Sequence, residues 1–459
     1  MKKGIVPFIT GFIMMLMASC LGSGDIDTTT EIKDAQISSF VLSHDSITGL
    51  SSAKFTIDQV NGFIFNNDSL PYGTQVNKVI CTLSYTTGVS AIKVVQEAVG
   101  DTVIWWNGTD SLDFSKPVQF TTVAYDGVTT KNYTAWVNIH QIIPDLMVWE
   151  RYAGQMTGAE ADEQKVIPYT REGEDAYLMY VKTFGVYPSN LYISETSANR
   201  LYYSLATDAR NWQELPLNGL PDDADIFQIT LFENILYVPV AGKLYSSING
   251  QEWTKVDDTP EIKALLGVIR EKRLPATLAT IVKSGDAYFF AGMNKDKQWT
   301  LGETLPDHFP VSGFSSLSYD RMSNEYLTVV AGEDKNGRLL NTTWATADAL
   351  SWAFLSGEQE NFFEKKTGVM LTSYDDKFYL TGGINDEDKA LKDIHVSIDN
   401  GITWAPADSL KLFPEDYTAR GYASLHVDAG KYMLVFGGKT SRGAKTLDEI
   451  WRGRINRLK

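Results

Sequence analysis

Residues 393–404 read Asp393-Ile394-His395-Val396-Ser397-Ile398-Asp399-Asn400-Gly401-Ile402-Thr403-Trp404. Weaker copies of this pattern recur through the C-terminal two thirds of the chain. The apolar side chains of Ile394, Val396 and Ile398 alternate as they do on one face of a β-strand. In the turn that follows, the Asp399 carboxylate can accept hydrogen bonds from turn amides, and Gly401 supplies a residue with positive φ. The stretch therefore predicts a tight hairpin whose final tryptophan begins the next strand.

The pattern Ser-x-Asp-x-Gly-x-Thr-Trp resembles the Asp-box (BNR repeat) of sialidase-type β-propellers. Ser397, Asp399, Gly401 and Trp404 occupy its named positions. The weaker copies are Asp208 with Trp212, Asn249 with Trp253, and Asp348 with Trp352. The resemblance implies that all these residues are structural, because the Asp-box turn lies at the outer rim of a propeller, away from the ligand-binding region.

A second repeated pattern is an aromatic-rich strand that ends in a small residue and glycine. Its copies are Tyr237–Gly242, Tyr288–Gly292, Leu327–Gly332, Phe378–Gly383 and Met433–Gly438, with a looser one at Tyr177–Gly185. Successive copies lie roughly 40 to 57 residues apart, which is the period of propeller blades. The stretches that follow Gly382-Gly383 and Gly437-Gly438 also resemble kelch repeats. Residues 145–459 are therefore predicted to form a six-bladed kelch/Asp-box-type β-propeller.

Two places in this repeat are irregular. Only six residues separate Gly292 from Trp299, so Trp299 is expected in the third strand of its blade. No tryptophan strand follows Trp451, so the last blade lacks its outer strand. The segment Leu146–Arg151 carries Trp149 in the matching place and is predicted to supply that strand. Closure of the ring removes open sheet edges, which would otherwise invite aggregation.

Residues 35–142 contain seven short alternating segments separated by turn residues, which predicts a β-sandwich. The segment from Asp113 to Val137 resembles the final hairpin of Ig-like modules common in surface lipoproteins of Bacteroides-type bacteria. Cys81 lies in mid-strand among apolar neighbours and is predicted to be a buried free thiol. Trp105 and Trp106 should point to opposite faces of a strand, one into the core and one outward. The predicted class is all-β: an N-terminal Ig-like β-sandwich followed by a six-bladed β-propeller.

Residues 1–19 are predicted to be a lipoprotein signal peptide. Lys2 and Lys3 precede an apolar run that is too short for a membrane span. Ala18-Ser19-Cys20 resembles the bacterial lipobox, in which the cysteine is diacylated, so Cys20 is the predicted lipidation site. An ordinary secretory leader is the alternative. Residues 20–34 would be the tether, and the chain is expected in the cell envelope, lipid-anchored to the outer membrane, with its periplasmic or surface orientation open.

The composition bears on partners and cofactors. The formal net charge of −16 at pH 7 repels phosphate backbones and argues against nucleic acid. Membrane contact is expected only through the N-terminal lipid anchor. The propeller contains no cysteine, which excludes the Tyr–Cys copper site of galactose oxidase, and His308, His395 and His426 show no metal-ligand spacing. No cofactor, metal site or catalytic residue is predicted.

The whole arrangement resembles an uncharacterised Bacteroides-type lipoprotein family that carries a domain of unknown function. Two functions remain open. The first is a non-catalytic binding or scaffold protein that presents a propeller face to a glycan or protein ligand. The second is a diverged, sialidase-like glycoside hydrolase that uses the central channel. The Arg-Ile-Pro motif of sialidases is absent from the chain, but seven arginines leave a degenerate triad open: Arg151, Arg171, Arg200, Arg210, Arg270, Arg321 and Arg420.

The lining of the central channel discriminates between these two functions. Carboxylates that converge with arginines would favour the enzyme, and an apolar or featureless face would favour the binder or scaffold.

Overall fold

A computed structural model describes residues 33–188, 193–357 and 363–458. The chain divides into two compact units, residues 1–143 and 144–459. The described residues contain no α-helix, and their short 3-10 helices are Glu97–Val99, Ala206–Asp208, Ile226–Gln228 and Asn456–Leu458. In this part of the chain, no helix has the length and apolar character needed to cross a membrane. The predicted all-β class is confirmed.

The first unit is a β-sandwich. Its strands are β1 Ile37–Ser43, β2 Phe55–Asp58, β3 Phe63–Asn66, β4 Val79–Tyr85, β5 Val89–Gln96, β6 Val103–Trp105, β7 Ser111–Leu112, β8 Val118–Ala124 and β9 Thr130–Trp136. One sheet has the order β1-β4-β7 and the other has the order β2-β3-β9-β8-β5-β6. A single apolar core joins the sheets, with Leu42 and Cys81 from the smaller one packed against Ile64 and Phe120 from the larger one.

The prediction of seven strands missed β1 and β7. A bulge between Ile37 and Ser39 breaks the alternation of β1, and β7 is only two residues long. Two single-residue predictions in this unit are confirmed. Cys81 is buried and free, and burial raises the pKa of its thiol. Trp105 is 63% exposed while Trp106 packs against the core.

The second unit consists of six four-stranded antiparallel sheets, which we number as blades 1 to 6. Blade 1 contains β11 Glu163–Arg171, β12 Glu174–Pro188, β13 Ile193–Leu205 and β14 Gln213–Leu215. Blade 2 contains β15 Thr230–Phe232, β16 Ile235–Val240, β17 Lys243–Ser247 and β18 Thr254–Lys255. Blade 3 contains β19 Glu261–Ile269, β20 Thr277–Ser284, β21 Ala287–Asn294 and β22 Trp299–Thr304. Blade 4 contains β23 Ser315–Arg321, β24 Asn324–Glu333, β25 Leu339–Thr346 and β26 Ala353–Ser356. Blade 5 contains β27 Met370–Tyr374, β28 Lys377–Thr381, β29 Ile394–Ser397 and β30 Ala405–Pro406. Blade 6 combines β31 Ser424–Val427, β32 Met433–Phe436 and β33 Ile450–Ile455 with β10 Met147–Ala153.

Six apolar clusters hold the blades together, one at each interface between neighbours. The cluster that joins the last blade to the first contains Leu434 and Phe436 from blade 6 and Val166 and Met179 from blade 1. Because burial of apolar area is the main stabilising term in folding, each blade is stabilised by both of its neighbours. The blades therefore form a closed six-membered ring, as predicted.

The predicted closure by the N-terminal strand is confirmed. Strand β10 pairs antiparallel with β33 and is the outermost strand of blade 6. Trp149 lies directly opposite Gly453 in this pairing, and its indole packs on Phe413 with 4.4 Å between ring centroids. The outer edge of blade 6 is thus built from residues about 300 positions apart in the chain.

Two details of the sequence interpretation are wrong. Trp299 begins β22, the fourth strand of blade 3, rather than lying in the third. The Gly292 pattern lies in β21, the third strand of this blade, whereas the copies in the other blades lie in the second strand, so no further strand separates Gly292 from Trp299. A tight hairpin joins β21 to β22, in which Lys297 adopts φ 60° and the Asn294 amide donates to the Gln298 carbonyl at 3.0 Å. In the 393–404 stretch, Ile398 does not share the buried face of its strand but lies in the turn, 78% exposed.

Candidate functional site

The innermost strands of all six blades surround a cavity of about 890 Å³. Its wall includes residues of β11, β15, β19, β23, β27 and β31 together with the loops that precede several of these strands. Pockets for small molecules typically measure about 300–1,000 Å³. The cavity at the centre of the ring therefore has the size of a small-molecule site.

Three equivalent loops form one side of this cavity. Gly313, Gly368 and Tyr422 stand at matching places, just before the inner strands of blades 4, 5 and 6. The Gly368 amide donates to the Gly313 carbonyl at 2.7 Å, and the Tyr422 amide donates to the Gly368 carbonyl at 2.7 Å. These backbone hydrogen bonds connect the three loops across blade boundaries into a continuous rim.

Tyr422 departs from this pattern in residue type but not in conformation. Its φ of 56° matches the 59° of Gly313 and the 66° of Gly368. A bulky residue in this left-handed region costs roughly 1–2 kcal/mol. The Tyr422 hydroxyl lies 2.9 Å from Thr367 Oγ1, and its ring centroid lies 5.0 Å from that of Phe227. Two aromatic rings, from blade 6 and from the loop before blade 2, thus meet at the cavity wall.

The tyrosine ring also explains why Gly368 is a glycine. A Cβ atom on Gly368 would lie only 2.6 Å from Cε2 of Tyr422. The Tyr422 ring therefore packs directly on Gly368, and this packing requires a residue without a side chain at position 368. Backbone outliers such as Tyr422 are concentrated at functional sites.

The side of the cavity formed by blades 1 and 2 is charged. Lys182 Nζ donates to the Ala224 carbonyl at 3.0 Å and lies 3.9 Å from Glu163 Oε2. Asp225 Oδ2 accepts a hydrogen bond from Gln228 Nε2 at 2.6 Å. Burial raises the pKa of the Glu163 and Asp225 carboxyls. Carboxyls with raised pKa values in a cleft mark a candidate functional site.

Two further lysines, Lys165 and Lys439, line the cavity from blade 1 and from the loop after β32 of blade 6. Lys439 is 8% exposed. Burial lowers the pKa of both ammonium groups, while Asp225 opposes the shift at Lys165 and Glu163 opposes it at Lys439. Three lysines thus face the same cavity as Glu163 and Asp225, and Asp223 and Glu333 also line it.

His426 joins the inner strands of blades 6 and 1. Its Nε2 lies 2.8 Å from the Val166 carbonyl oxygen, and the Val166 amide donates to Ser424 Oγ at 2.9 Å. Because a carbonyl only accepts, His426 Nε2 must carry the proton. Burial lowers the pKa of His426 to about 4.

In the parts of the chain that the structure describes, no group of three His, Cys, Asp or Glu side chains could hold a metal ion.

The Asp-box residues lie away from this cavity, in turns between the third and fourth strands of their blades. Asp399 Oδ1 accepts from the Thr403 amide at 2.9 Å, and Ser397 Oγ accepts from the Gly401 amide at 2.8 Å. Although burial opposes ionisation, the hydrogen bonds from Thr403 and Ser397 hold the pKa of Asp399 below its usual value. Trp404 donates from Nε1 to Thr343 Oγ1 of blade 4 at 3.1 Å.

The weaker copies of the turn vary in their hydrogen bonds. Asp348 Oδ1 and Asn249 Oδ1 each accept from two backbone amides at 2.9 Å. Both turns are followed by a buried tryptophan, Trp352 or Trp253. The Asp208 carboxylate instead accepts from the side chains of the next turn residues, Arg210 and Asn211. Trp212 is only partly buried.

The degenerate arginine triad is not found at the cavity. Among the described residues that line it, none of the seven arginines considered above occurs. Arg151 and Arg420 both pair with Glu449, at 3.2 and 2.6 Å. The arginine that does line the cavity is Arg442, which lies 3.9 Å from Glu333.

His395 is buried in blade 5 rather than in the cavity wall. Its Nδ1 lies 3.3 Å from Asp393 Oδ2, and the same carboxylate accepts from Lys366 Nζ at 2.8 Å. Lys366 and Asp393 occupy the places that Arg420 and Glu449 occupy in blade 6, before the inner and third strands.

The sequence patterns therefore identified the residues that build the blades, and they missed the residues that line the cavity. The one available signal was Tyr422, which replaces glycine in the repeat.

Comparison with protein families agrees with this architecture. Residues 143–459 match the model of the DUF6242 beta propeller domain, and residues 25–137 match the DUF6242 N-terminal domain, described as a domain of unknown function. No curated protein matches the chain. Among solved structures, 233 chains match. One is titled "Structure of YjhT", with 14% identity, a TM-score of 0.43, and coverage of 64% of this chain and 96% of that chain.

Proposed function

This chain belongs to the DUF6242 family, and we propose that it is a non-catalytic binding protein whose β-propeller holds a glycan in its central cavity. The observation that carries this proposal is the cavity of about 890 Å³ enclosed by all six blades. A recessed site of this size suits a small molecule better than a flat protein surface. A glycan of one or a few sugar units is therefore the ligand class we favour over a protein.

The chemistry of the wall supports a sugar. Sugar rings combine apolar faces with a rim of hydroxyl groups. The rings of Tyr422 and Phe227 offer apolar surface for such faces. Lys182, Glu163 and Asp225 place donors and acceptors beside them. A few polar groups within a largely pre-formed pocket are typical of small-molecule sites.

One observation favours the second candidate, a glycoside hydrolase. Glu163 and Asp225 share the cavity, and burial raises the pKa of both carboxyls. Glycosidases use a carboxyl with raised pKa as general acid beside a second carboxylate. Since the seven candidate arginines do not line this cavity, sialidase-type chemistry finds no support there, and hydrolysis of another glycan is the alternative to test.

The test is a glycan-binding screen of the full chain and of Tyr422→Gly. Glycine is the residue that blades 4 and 5 carry at this place, so the variant removes the ring without disturbing the backbone. We expect about 2- to 10-fold weaker glycan binding, since an aromatic contact contributes roughly 0.5–1.5 kcal/mol, and no loss of thermal stability. Tyr72→Ala, an exposed tyrosine of the first unit, is the control.

Two results would contradict the proposal. If no glycan binds, or if binding is the same in Tyr422→Gly and in Phe227→Ala, the cavity is not the site. If bound glycans are cleaved, and Glu163→Gln or Asp225→Asn stops the cleavage, the protein is a hydrolase. Mass spectrometry of the glycans after incubation distinguishes binding from cleavage.

Our proposal also includes the location of the protein. The leader-like residues 1–19, the lipobox-like Cys20 and the Gly/Ser/Asp/Thr-rich residues that follow support a lipoprotein anchored to the outer membrane. These residues lie outside the described part of the chain. We further classify the first unit as Ig-like and the blades as kelch/Asp-box-type, for which the sequence patterns are the support. In this arrangement the propeller would capture glycans or surface proteins at the cell envelope.

A further inference from the structure

We infer that the ligand of the central cavity is anionic, a small molecule with a carboxylate or phosphate group, and that Lys165 and Lys439 bind this group. The inference rests on the proposed function, because it assigns the chemistry of the ligand in the same cavity. It adds a charge preference and two residues that hold the charge.

The first step concerns the partners of the two lysines. Both ammonium groups belong to residues that line the cavity. Within residues 33–188, 193–357 and 363–458, the side chains of Lys165 and Lys439 have neither a hydrogen bond nor an ion pair. An exposed lysine needs no protein partner, because water solvates it. Lys439 is only 8% exposed, and burial lowers the pKa of both side chains. The charges of Asp225 near Lys165 and of Glu163 near Lys439 offset this desolvation only in part.

The second step is that the other charged side chains of the cavity are engaged within the protein, apart from Asp223, which is exposed to water. Lys182, on the neighbouring strand, donates to the Ala224 carbonyl and lies 3.9 Å from Glu163. Asp225 accepts from Gln228. Arg442 faces Glu333 at 3.9 Å. Lys182 therefore has partners within the protein, whereas Lys165 and Lys439 have neither a hydrogen bond nor an ion pair. We take this contrast to mean that the two lysines are kept for a ligand.

The third step is the cost of leaving a buried charge unpaired. Such a group loses its hydration without compensation, so native proteins pair nearly all of them. An anionic ligand would supply the missing partner to both lysines through charge-assisted hydrogen bonds.

The position of the two lysines relative to the aromatic rings completes the argument. Lys439 belongs to the rim, because its amide donates to the Gly421 carbonyl at 2.7 Å, next to Tyr422. Lys165 lies on the adjacent inner strand, β11, and interacts with the charge of Asp225 beside Phe227. A ligand with an anionic group at the lysines can therefore place an apolar face against the Phe227 and Tyr422 rings.

The test compares glucose, galactose and mannose with their uronic acids and 6-phosphates, by calorimetry on the full chain. We expect the acids to bind at least tenfold more tightly than the matched neutral sugars, and Lys165→Met or Lys439→Met to weaken acid binding about 10- to 100-fold. The uronic acids and 6-phosphates distinguish carboxylate from phosphate recognition, and inorganic phosphate alone shows whether the anion suffices. Lys243→Met, an exposed lysine of blade 2, should bind like the unmodified protein.

The outcomes separate this inference from the proposed function. If neutral sugars bind as well as the acids, or if acid binding survives in both lysine variants, the charge preference is wrong and glycan binding stands. If none of these compounds binds, both ideas are overturned.

Stability in the absence of ligand provides an independent readout. Lys165→Met and Lys439→Met remove partly desolvated ammonium groups that have no hydrogen bond or ion pair of their own, so each should raise the melting temperature by about 1–3 °C. Lys182→Met breaks a hydrogen bond and an ion pair and should lower it. If the first two variants melt below the unmodified protein, the lysines serve the fold rather than a ligand, and the inference fails.

Discussion

At the scale of single residues, Tyr422 is the place where blade 6 departs from the repeat of blades 4 and 5, which carry glycine there. Gly313 and Gly368 adopt positive φ at no steric cost. Tyr422 adopts the same conformation with a bulky side chain, and its ring reaches Thr367 and Phe227. Packing around the cavity therefore offsets a local backbone strain, and blade 6 places an aromatic ring where blades 4 and 5 have glycine.

His426 allows a prediction about pH. Its pKa is lowered by burial to about 4 in the folded chain, whereas an unfolded histidine titrates near pH 6.5. Between these values the unfolded state binds more protons, so this residue's contribution to stability is complete above pH 6.5 and is lost as the pH falls toward 4. We expect the stability advantage over His426→Gln to shrink by about 2 kcal/mol between pH 7.5 and pH 5.

Chemical denaturation of the two proteins at both pH values measures this effect. Glutamine keeps an N–H donor for the Val166 carbonyl but does not titrate. Parallel stability curves for the unmodified protein and His426→Gln would show that His426 is not held neutral.

At the scale of elements, the ring depends on the pairing of β10 with β33. Trp149 covers Gly453 in this pairing, and a Cβ atom on Gly453 would lie 2.6 Å from Cδ2 of the indole. The indole is itself held by Phe413 and by a hydrogen bond of 3.2 Å from Nε1 to the Lys411 carbonyl. It therefore has little freedom to move away from an added methyl group.

We expect Gly453→Ala to destabilise the propeller by about 1–3 kcal/mol, the usual cost of overpacking. Gly443→Ala is the matched control, since a Cβ atom there would meet no atom within 4 Å. Thermal unfolding of both variants measures the difference. Equal melting temperatures would mean that the closing strand contributes little to the stability of the ring.

At the scale of the whole molecule, closure brings blade 1 beside blade 6 and creates the cavity. Lys165 and Lys439 are 274 residues apart in the chain, 439 minus 165, yet both line the same cavity. Ring architectures produce such sites because every inner strand borders the central space. A variant that opens the ring should therefore lose ligand binding as well as stability.

The proposed anchor leads to a prediction for the intact protein in its cell. Cys20→Ala removes the thiol that would carry the lipid, so the protein should leave the membrane fraction and lose labelling by radioactive palmitate. Cys81→Ala is the control, because Cys81 is buried in the sandwich and should not affect labelling. Membrane recovery and labelling that persist in Cys20→Ala would refute lipidation at this residue.

The class of fold could be predicted from the sequence because it depends on local patterns. Strand alternation, turn glycines and the spacing of tryptophans act over a few residues, and their repetition predicted six blades. Even the closing strand was found in this way, since Trp149 was the copy without a blade. The prediction failed at Trp299, because the glycine pattern of blade 3 lies in its third strand and not in its second, so no strand separates it from Trp299.

The cavity could not be predicted in this way. Lys165, Lys439, Tyr422 and Asp225 share no motif or spacing, and each looks like an ordinary residue of a strand or loop in the sequence. Their meeting is a result of ring closure, which only the tertiary structure provides. Whether a lysine is buried, and whether it has a hydrogen-bond or ion-pair partner, likewise depends on the groups that the fold places around it. The sequence by itself thus determined the blades, and the packing of those blades determined which charges face the centre without a partner.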